Sequence, residues 1–162
     1  MDYHRKHSVK AKIIRIFNTY GPNMAVDDGR VISNFIVQAL QGKPLTVHGD
    51  GRQTRSFQYV ADLIDAMMLM VATDDNITGP VNIGNPDERT IEDVARTIIR
   101  MTGSKSTLAN TDRPADDPCR RCPDISLAKE ILCGWEPKVE LEDGLRHTIE
   151  YFKQQIAVKE VI

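Results

Sequence analysis

The stretch RIFNTYGP, Arg15 to Pro22, decides how this chain is read. An apolar run from Ala11 to Phe17, β-branched at Ile13, Ile14 and Ile16, leads into it and predicts a short buried strand. Asn18 to Pro22 then read as a turn, with Gly-Pro as punctuation. In an open α/β sheet, ligands bind in the crevice beyond the carboxyl ends of the strands. Asn18 and Thr19 stand at such an end and are the first candidates for ligand contact. The competing reading is an asparagine that only hydrogen-bonds its own turn.

Outward from this stretch the pattern is helix and strand in alternation. Residues 1–8 are polar and basic and read as the tail of a helix feeding the strand. Val31, Ile32, Phe35, Ile36, Ala39 and Leu40 make one apolar helical face, ended by Gly42 and Pro44. Leu45, Val47 and His48 suggest a strand closed by Gly49-Asp50-Gly51, and the alternation of Arg55, Phe57 and Tyr59 suggests another. A helix from about Ala61 to Ala72 places Leu63, Ile64, Met67, Met68 and Val71 at helical spacing, which reads as core. Val81 to Gly84 reads as a strand. Thr90 opens the clearest helix, with Asp93 in the capping-box position and Gly103 as its stop. A loop rich in proline and charge, 112–124, precedes a short helix capped by Ser126, and a last helix spans about Leu141 to Gln155.

The totals bound the function. A chain of 162 residues supports one real core. With 41% apolar and 27% charged residues and a net charge of −2, it has an ordinary globular composition and no general attraction to nucleic acid or acidic membranes. No apolar run approaches the roughly 20 residues that span a bilayer, and the first residues lack the apolar region of a secretory signal. Cytoplasmic location is therefore expected for this stretch. Cys119 and Cys122 form a CxxC followed by Pro123, with no second pair at metal-ligand spacing, so no metal site is expected. Arg30, Arg55, Arg120 and Arg121 lie in or beside loops. Arginines in separate loops of a chain without net positive charge suit a small anionic ligand such as a phosphate.

Five segments in order carry a family resemblance: RIFNTYGP, then DGRVISNFIVQALQGKPLTVHGDGRQTRSFQYVADL (28–63), VNIGNP (81–86), DDPCRRCPDI (116–125) and CGWEP (133–137). Together they resemble the UDP-glucuronate decarboxylases, extended short-chain dehydrogenase/reductases related to the nucleotide-sugar epimerases and dehydratases. The likeness runs from about Tyr3 to Phe152. It implies an α/β fold: the C-terminal part of a Rossmann-type NAD(P)-binding fold plus a small substrate-binding lobe, with residues 1–44 the Rossmann remnant and the start of that lobe, and 45–162 mainly the nucleotide-sugar-binding lobe.

It further implies a UDP-sugar substrate contacted by Asn18, Gly29, Val31, Leu45, Val47, His48, Arg55 and Arg121, with Arg55 and Arg121 gripping the pyrophosphate. Thr19 and Arg30 match positions near the NAD cofactor. His48 stands where relatives carry tyrosine. In the family, NAD oxidises the sugar at C4, the β-keto acid loses CO2, and the ketone is reduced again.

Family members also carry a Gly-rich turn for the NAD pyrophosphate and a catalytic Tyr-x-x-x-Lys; four residues after Tyr3, Tyr20, Tyr59 and Tyr151 stand His7, Met24, Leu63 and Gln155. The resemblance therefore implies a shortened chain with no catalytic residue of its own, inactive alone. It would hold a nucleotide sugar, and its uncovered sheet edge would favour homo-oligomers or self-association. The alternatives are a dTDP-glucose 4,6-dehydratase or UDP-sugar 4-epimerase relative, and a non-catalytic binding or interaction fragment.

Overall fold

In the computed structural model, residues 6, 7, 9–112, 118 and 120–159 are described. The expected helix at 1–8 falls largely outside them, although Lys6 and His7 are helical. The elements in order are β1 (Ile14–Ile16), β2 (Thr19–Tyr20), α1 (Val31–Leu40), β3 (Leu45–His48), β4 (Thr54–Ser56), β5 (Gln58–Tyr59), α2 (Val60–Ala72), β6 (Val81–Ile83), β7 (Glu88–Thr90), α3 (Ile91–Thr102), β8 (Leu108–Thr111), β9 (Arg120–Arg121), α4 (Ser126–Ile131) and α5 (Leu141–Lys159).

Three parallel pairs, β1–β6, β2–β5 and β3–β8, accompany one mixed three-stranded sheet of order β7-β4-β9. In that sheet β7 runs antiparallel to β4, and β9 parallel to it.

Two cores hold these elements. One gathers the buried faces of α1 (Ile32, Phe35, Ile36, Ala39), α3 (Ile91, Val94, Ala95, Ile98) and α5 (Leu145, Ile149, Phe152) around Leu45 and Val47 of β3. The other joins Leu63, Ala66 and Met70 of α2 to Val81 and Ile83 of β6, and to Ile125, Ala128, Leu132 and Trp135. α1 shares its core with β3, α3 and α5, whereas α2 belongs to the other cluster.

The helix α3 obeys its sequence signals: Asp93 N donates to Thr90 Oγ1 at 3.0 Å, and Gly103 ends it at φ 65°. Elsewhere the structure corrects the reading. Ser126 does not cap α4; it is the first helical residue, and its own N–H donates to Asp124 Oδ1 at 2.9 Å. The last helix extends to Lys159.

The larger correction concerns α2. Its buried face is Leu63, Ala66 and Met70, while Ile64, Met67, Met68 and Val71 are exposed, Val71 to 71%. β1 is likewise only half covered: it pairs with β6 alone among the described strands, and Ile16 is 53% exposed. The helical period is as expected, but apart from Asp62 and Asp65 α2 is apolar on both its buried and its exposed sides, so it has two faces to cover.

Two contacts fasten α5 and its lead-in to the earlier part of the chain. The buried carboxylate of Asp62 accepts from Lys138 N and Val139 N, each at 3.1 Å, which fixes the lead-in to α5 on the first turn of α2. The buried Tyr20 donates its hydroxyl to Leu141 O at 3.0 Å, at the start of α5. Burial, reinforced by neighbouring Tyr59 and Asp62, pushes this phenol well above its ordinary value, so it stays protonated and donating.

Gly144 lies under that phenol. A Cβ there would overlap the Tyr20 hydroxyl and crowd the Tyr59 ring. Replacing a helical glycine by alanine ordinarily stabilises by about 1 kcal/mol. Here overpacking outweighs that gain, and Gly144→Ala should lower unfolding stability by about 1–3 kcal/mol, seen as a lower urea midpoint at unchanged slope. A midpoint at or above wild type would refute the contact.

Candidate functional site

Asn18 links β1 to β2 and faces the segment that carries Arg55. Its carbonyl accepts from Gln58 N at 3.0 Å, and its Nδ2 donates to Ser56 O at 3.1 Å. A cleft of about 190 Å³ opens beside it. Of the residues expected in the site, Asn18, Thr19, Gly29, Arg30, Val31 and Arg55 line this cleft together. Tyr20, Met24, Ile32 and Phe57 add apolar wall that sequence reasoning did not assign to a site. Their only signal is position, within or beside the motifs already singled out.

The charges in the cleft are arranged by local bonds. Arg30 forks onto Asp28, with Nη2 donating to Oδ2 at 2.6 Å and Nε to Oδ1. Its Nη1 reaches toward Thr19 O at 3.4 Å. The guanidinium bonds hold the Asp28 carboxyl below its usual range and raise Arg30 in turn, so both stay ionised. Asp28 also accepts from Arg30 N and Ser33 Oγ, which ties this pair to the start of α1. Arg55 is buried, and its Nη1 donates to Thr54 O at 2.8 Å.

The mixed sheet sorts the remaining arginines by parity. Arg55 stands opposite Arg89 on one side and Arg121 on the other. Residues directly opposite share a sheet face, so these three arginines share one. Thr54 is opposite Arg120 and Ser56 opposite Glu88, which puts Arg120 and Glu88 on the reverse face. Arg121 is therefore next to Arg55, as a shared anion site needs, whereas Arg120 is not. Arg89 Nε donates to Asp87 Oδ2 at 2.9 Å.

Leu45, Val47, His48 and Arg121 do not line the cleft; Arg121 is exposed on the strand beside Arg55. The side chains of Leu45 and Val47 are in the core. Leu45 N donates to Thr107 O at 2.8 Å, so the main chain at this parity is turned into the ladder with β8. On the opposite edge, Thr46 N donates to Gln38 Oε1 at 3.0 Å. His48 is exposed, its Nδ1 2.9 Å from Thr111 Oγ1 and 3.3 Å from Asp112 O.

Cys119 lies outside the described residues, so the CxxC is not placed; Cys122 donates weakly to Pro86 O at 3.5 Å. No cluster of three metal-ligating side chains occurs among the described residues. No described helix is long and apolar enough to cross a membrane. Thr19 and Arg30 do not by themselves build a dinucleotide site: the Thr19 hydroxyl donates to Phe17 O at 2.9 Å, and Arg30 is committed to Asp28. A wider groove of about 420 Å³ between α3 and α5 is no better anion site, because Arg100 pairs with Glu142 and Arg146 with Asp143, each at 2.7 Å.

Comparison with known proteins agrees with this architecture. Residues 1–84 match the model of the NAD dependent epimerase/dehydratase family. UDP-glucuronic acid decarboxylase 5 of Arabidopsis thaliana is 50% identical over 157 residues, covering 97% of this chain and 45% of that protein. UDP-glucuronic acid decarboxylase 1 of Xenopus tropicalis is 49% identical over 154 residues, covering 95% and 36%. The chain thus spans less than half the length of these relatives.

Among solved structures, the UDP-glucuronic acid 4-epimerase of Bacillus cereus in complex with UDP-glucuronic acid and NAD superposes with a TM-score of 0.86 at 34% identity, covering 95% of this chain and 48% of that one. The UDP-glucose 4-epimerase of Thermotoga maritima with UDP-glucose superposes at 0.87 and 31% identity, covering 96% and 50%. The fold is therefore mixed α/β, part of a Rossmann-type epimerase structure, and the chain belongs to the NAD dependent epimerase/dehydratase family.

Proposed function

We propose that this chain is the nucleotide-sugar-binding part of an NAD-dependent UDP-glucuronate decarboxylase, the enzyme class that converts UDP-glucuronate to UDP-xylose and CO2. The observation that carries the reading is that Arg55, which lines the cleft with Asn18, stands opposite Arg121 on the neighbouring strand and shares its sheet face. Two guanidinium groups on neighbouring strands fit the two phosphates of a nucleoside diphosphate. Identity near 50% to decarboxylases, against 34% or less to the two epimerases of solved structure, favours decarboxylation over epimerisation.

In this reading Arg55 and Arg121 grip the pyrophosphate and Asn18 meets the adjacent sugar and phosphate. Gly29 and Val31 open the helix that lines the nucleotide, and Thr19 and Arg30 stand toward the cofactor side. His48 would face the base in place of a tyrosine. Leu45 and Val47 would act through their strand, since their side chains are core. The 162 residues contain neither the Gly-rich turn nor the Tyr-x-x-x-Lys pair of the family, so the role assigned to them is binding rather than hydride or proton transfer.

Three outcomes are expected. Calorimetric titration should show saturable binding of UDP in preference to dTDP, weakened about tenfold or more by Arg55→Ala; preference for dTDP would favour a dehydratase relative, and no binding by a folded sample would refute the reading. The purified chain with NAD and UDP-glucuronate should form no UDP-xylose by mass spectrometry; detectable product would overturn its assignment as a binding part. The apolar stripe Ile64, Met67, Met68 and Val71, with the open edge of β1, should drive self-association of the purified chain. Light scattering at rising concentration tests this, and a monomer throughout would count against it.

A further inference from the structure

β9 is two residues long, and it alone brings Arg121 to Arg55. A two-residue strand has few ladder bonds to hold it. It also brings Arg121 onto the sheet face that carries Arg55 and Arg89, the latter paired with Asp87. A residue on the reverse face can hold so short a strand in place.

Glu88 does so. Arg120 Nε donates to both Glu88 carboxylate oxygens at 3.0 Å, and Nη2 donates to Oε2 at 2.6 Å. Thr54 Oγ1 donates to Glu88 Oε1 at 2.8 Å, so one carboxylate ties all three strands β7, β4 and β9 together. Forked arginine–carboxylate pairs are among the stronger and more directional polar contacts. The Arg120 and Thr54 bonds hold the Glu88 carboxyl down to about 2, so it is charged throughout the working range.

Because Arg120 and Arg121 are the same residue type, Glu88 cannot choose between them. The register is fixed next door, where Pro123 sits against Gly84 at a distance only a glycine allows, and Asn82 Nδ2 donates to Asp124 O at 3.1 Å.

We propose that Glu88 is a positioning residue for diphosphate binding: by gripping Arg120 on the reverse face, it docks β9 on β4 and holds Arg121 beside Arg55. This rests on the nucleotide-sugar reading above for what Arg121 binds, but not for the docking itself.

The test titrates the chain with UDP and with UMP, which lacks the second phosphate. Glu88→Gln should weaken UDP about tenfold and leave UMP within about twofold. Arg121→Ala should do the same, and the double variant should bind UDP no more weakly than Arg121→Ala, since both changes remove one contact. The charge-exchanged pair Glu88→Arg with Arg120→Glu should regain UDP affinity. Unchanged UDP affinity in Glu88→Gln, or a loss that adds in full to that of Arg121→Ala, would overturn the proposal.

Amide exchange separates this failure from failure of the binding reading. In Glu88→Gln, and in Glu88→Asp if the first variant is poorly folded, the Arg120–Cys122 segment should exchange faster while α3 stays protected. Equal protection in wild type and variant would overturn the docking role. Faster exchange in a chain that binds no UDP would keep the docking and refute only the choice of ligand.

Discussion

Two hydrogen bonds at Asn18 join the end of the first strand to the segment that carries Arg55. The chain must leave the β1–β6 pair and become the wall of the cleft within two residues. Asn18 does this by accepting from Gln58 N with its carbonyl and donating from its side chain to Ser56 O. The partners flank Phe57, a cleft residue, and Ser56 comes directly after Arg55. The strand end and the arginine segment are therefore one mechanical unit. Each bond contributes only about 0.5–1.5 kcal/mol net, but they set the separation of the polar groups that a ligand would meet.

Around that unit the two cores divide the work. The core of α1, α3 and α5 is closed, with apolar faces meeting each other, and Tyr20 and Gly144 lock its last helix to the cleft wall. The core of α2 and β6 is closed on one side only. Its outer stripe of isoleucine, methionine and valine is exposed, beside a strand that pairs on one edge only among the described residues. The cleft has its apolar wall, Tyr20, Met24, Ile32 and Phe57, in the first core, and the uncovered apolar stripe lies on the second.

Much of this is legible in the sequence where a period is long enough to read. α3 shows its face, its threonine cap and its glycine stop, because twelve residues of amphipathic helix repeat a signal several times. α2 shows its period but not which face is buried, because methionine and aliphatic residues surround it and only the neighbours decide. β7 and β9 are illegible: strands of three and two residues carry no period and exist through their partners.

The same limit governs the site. Asn18, Thr19, Gly29, Arg30, Val31 and Arg55 converge on one cleft, since they lie in or beside loops next to one another. Leu45 and Val47 cannot be told from core, because a strand that packs and a strand that offers its backbone share one apolar pattern. Arg120 and Arg121 are equivalent as letters, and only the parity of the ladder separates them.

The segment between β8 and α4 is fastened at both ends. At one end His48 meets Thr111 and Asp112; at the other the Glu88 fork, the Pro123–Gly84 contact and the Asn82–Asp124 bond come within five residues. For protein engineering this makes residues 120–124 a poor place to cut or extend the chain. An insertion among them would part Arg121 from the contacts that fix its neighbours, so a tag or a reporter belongs outside the clamped residues.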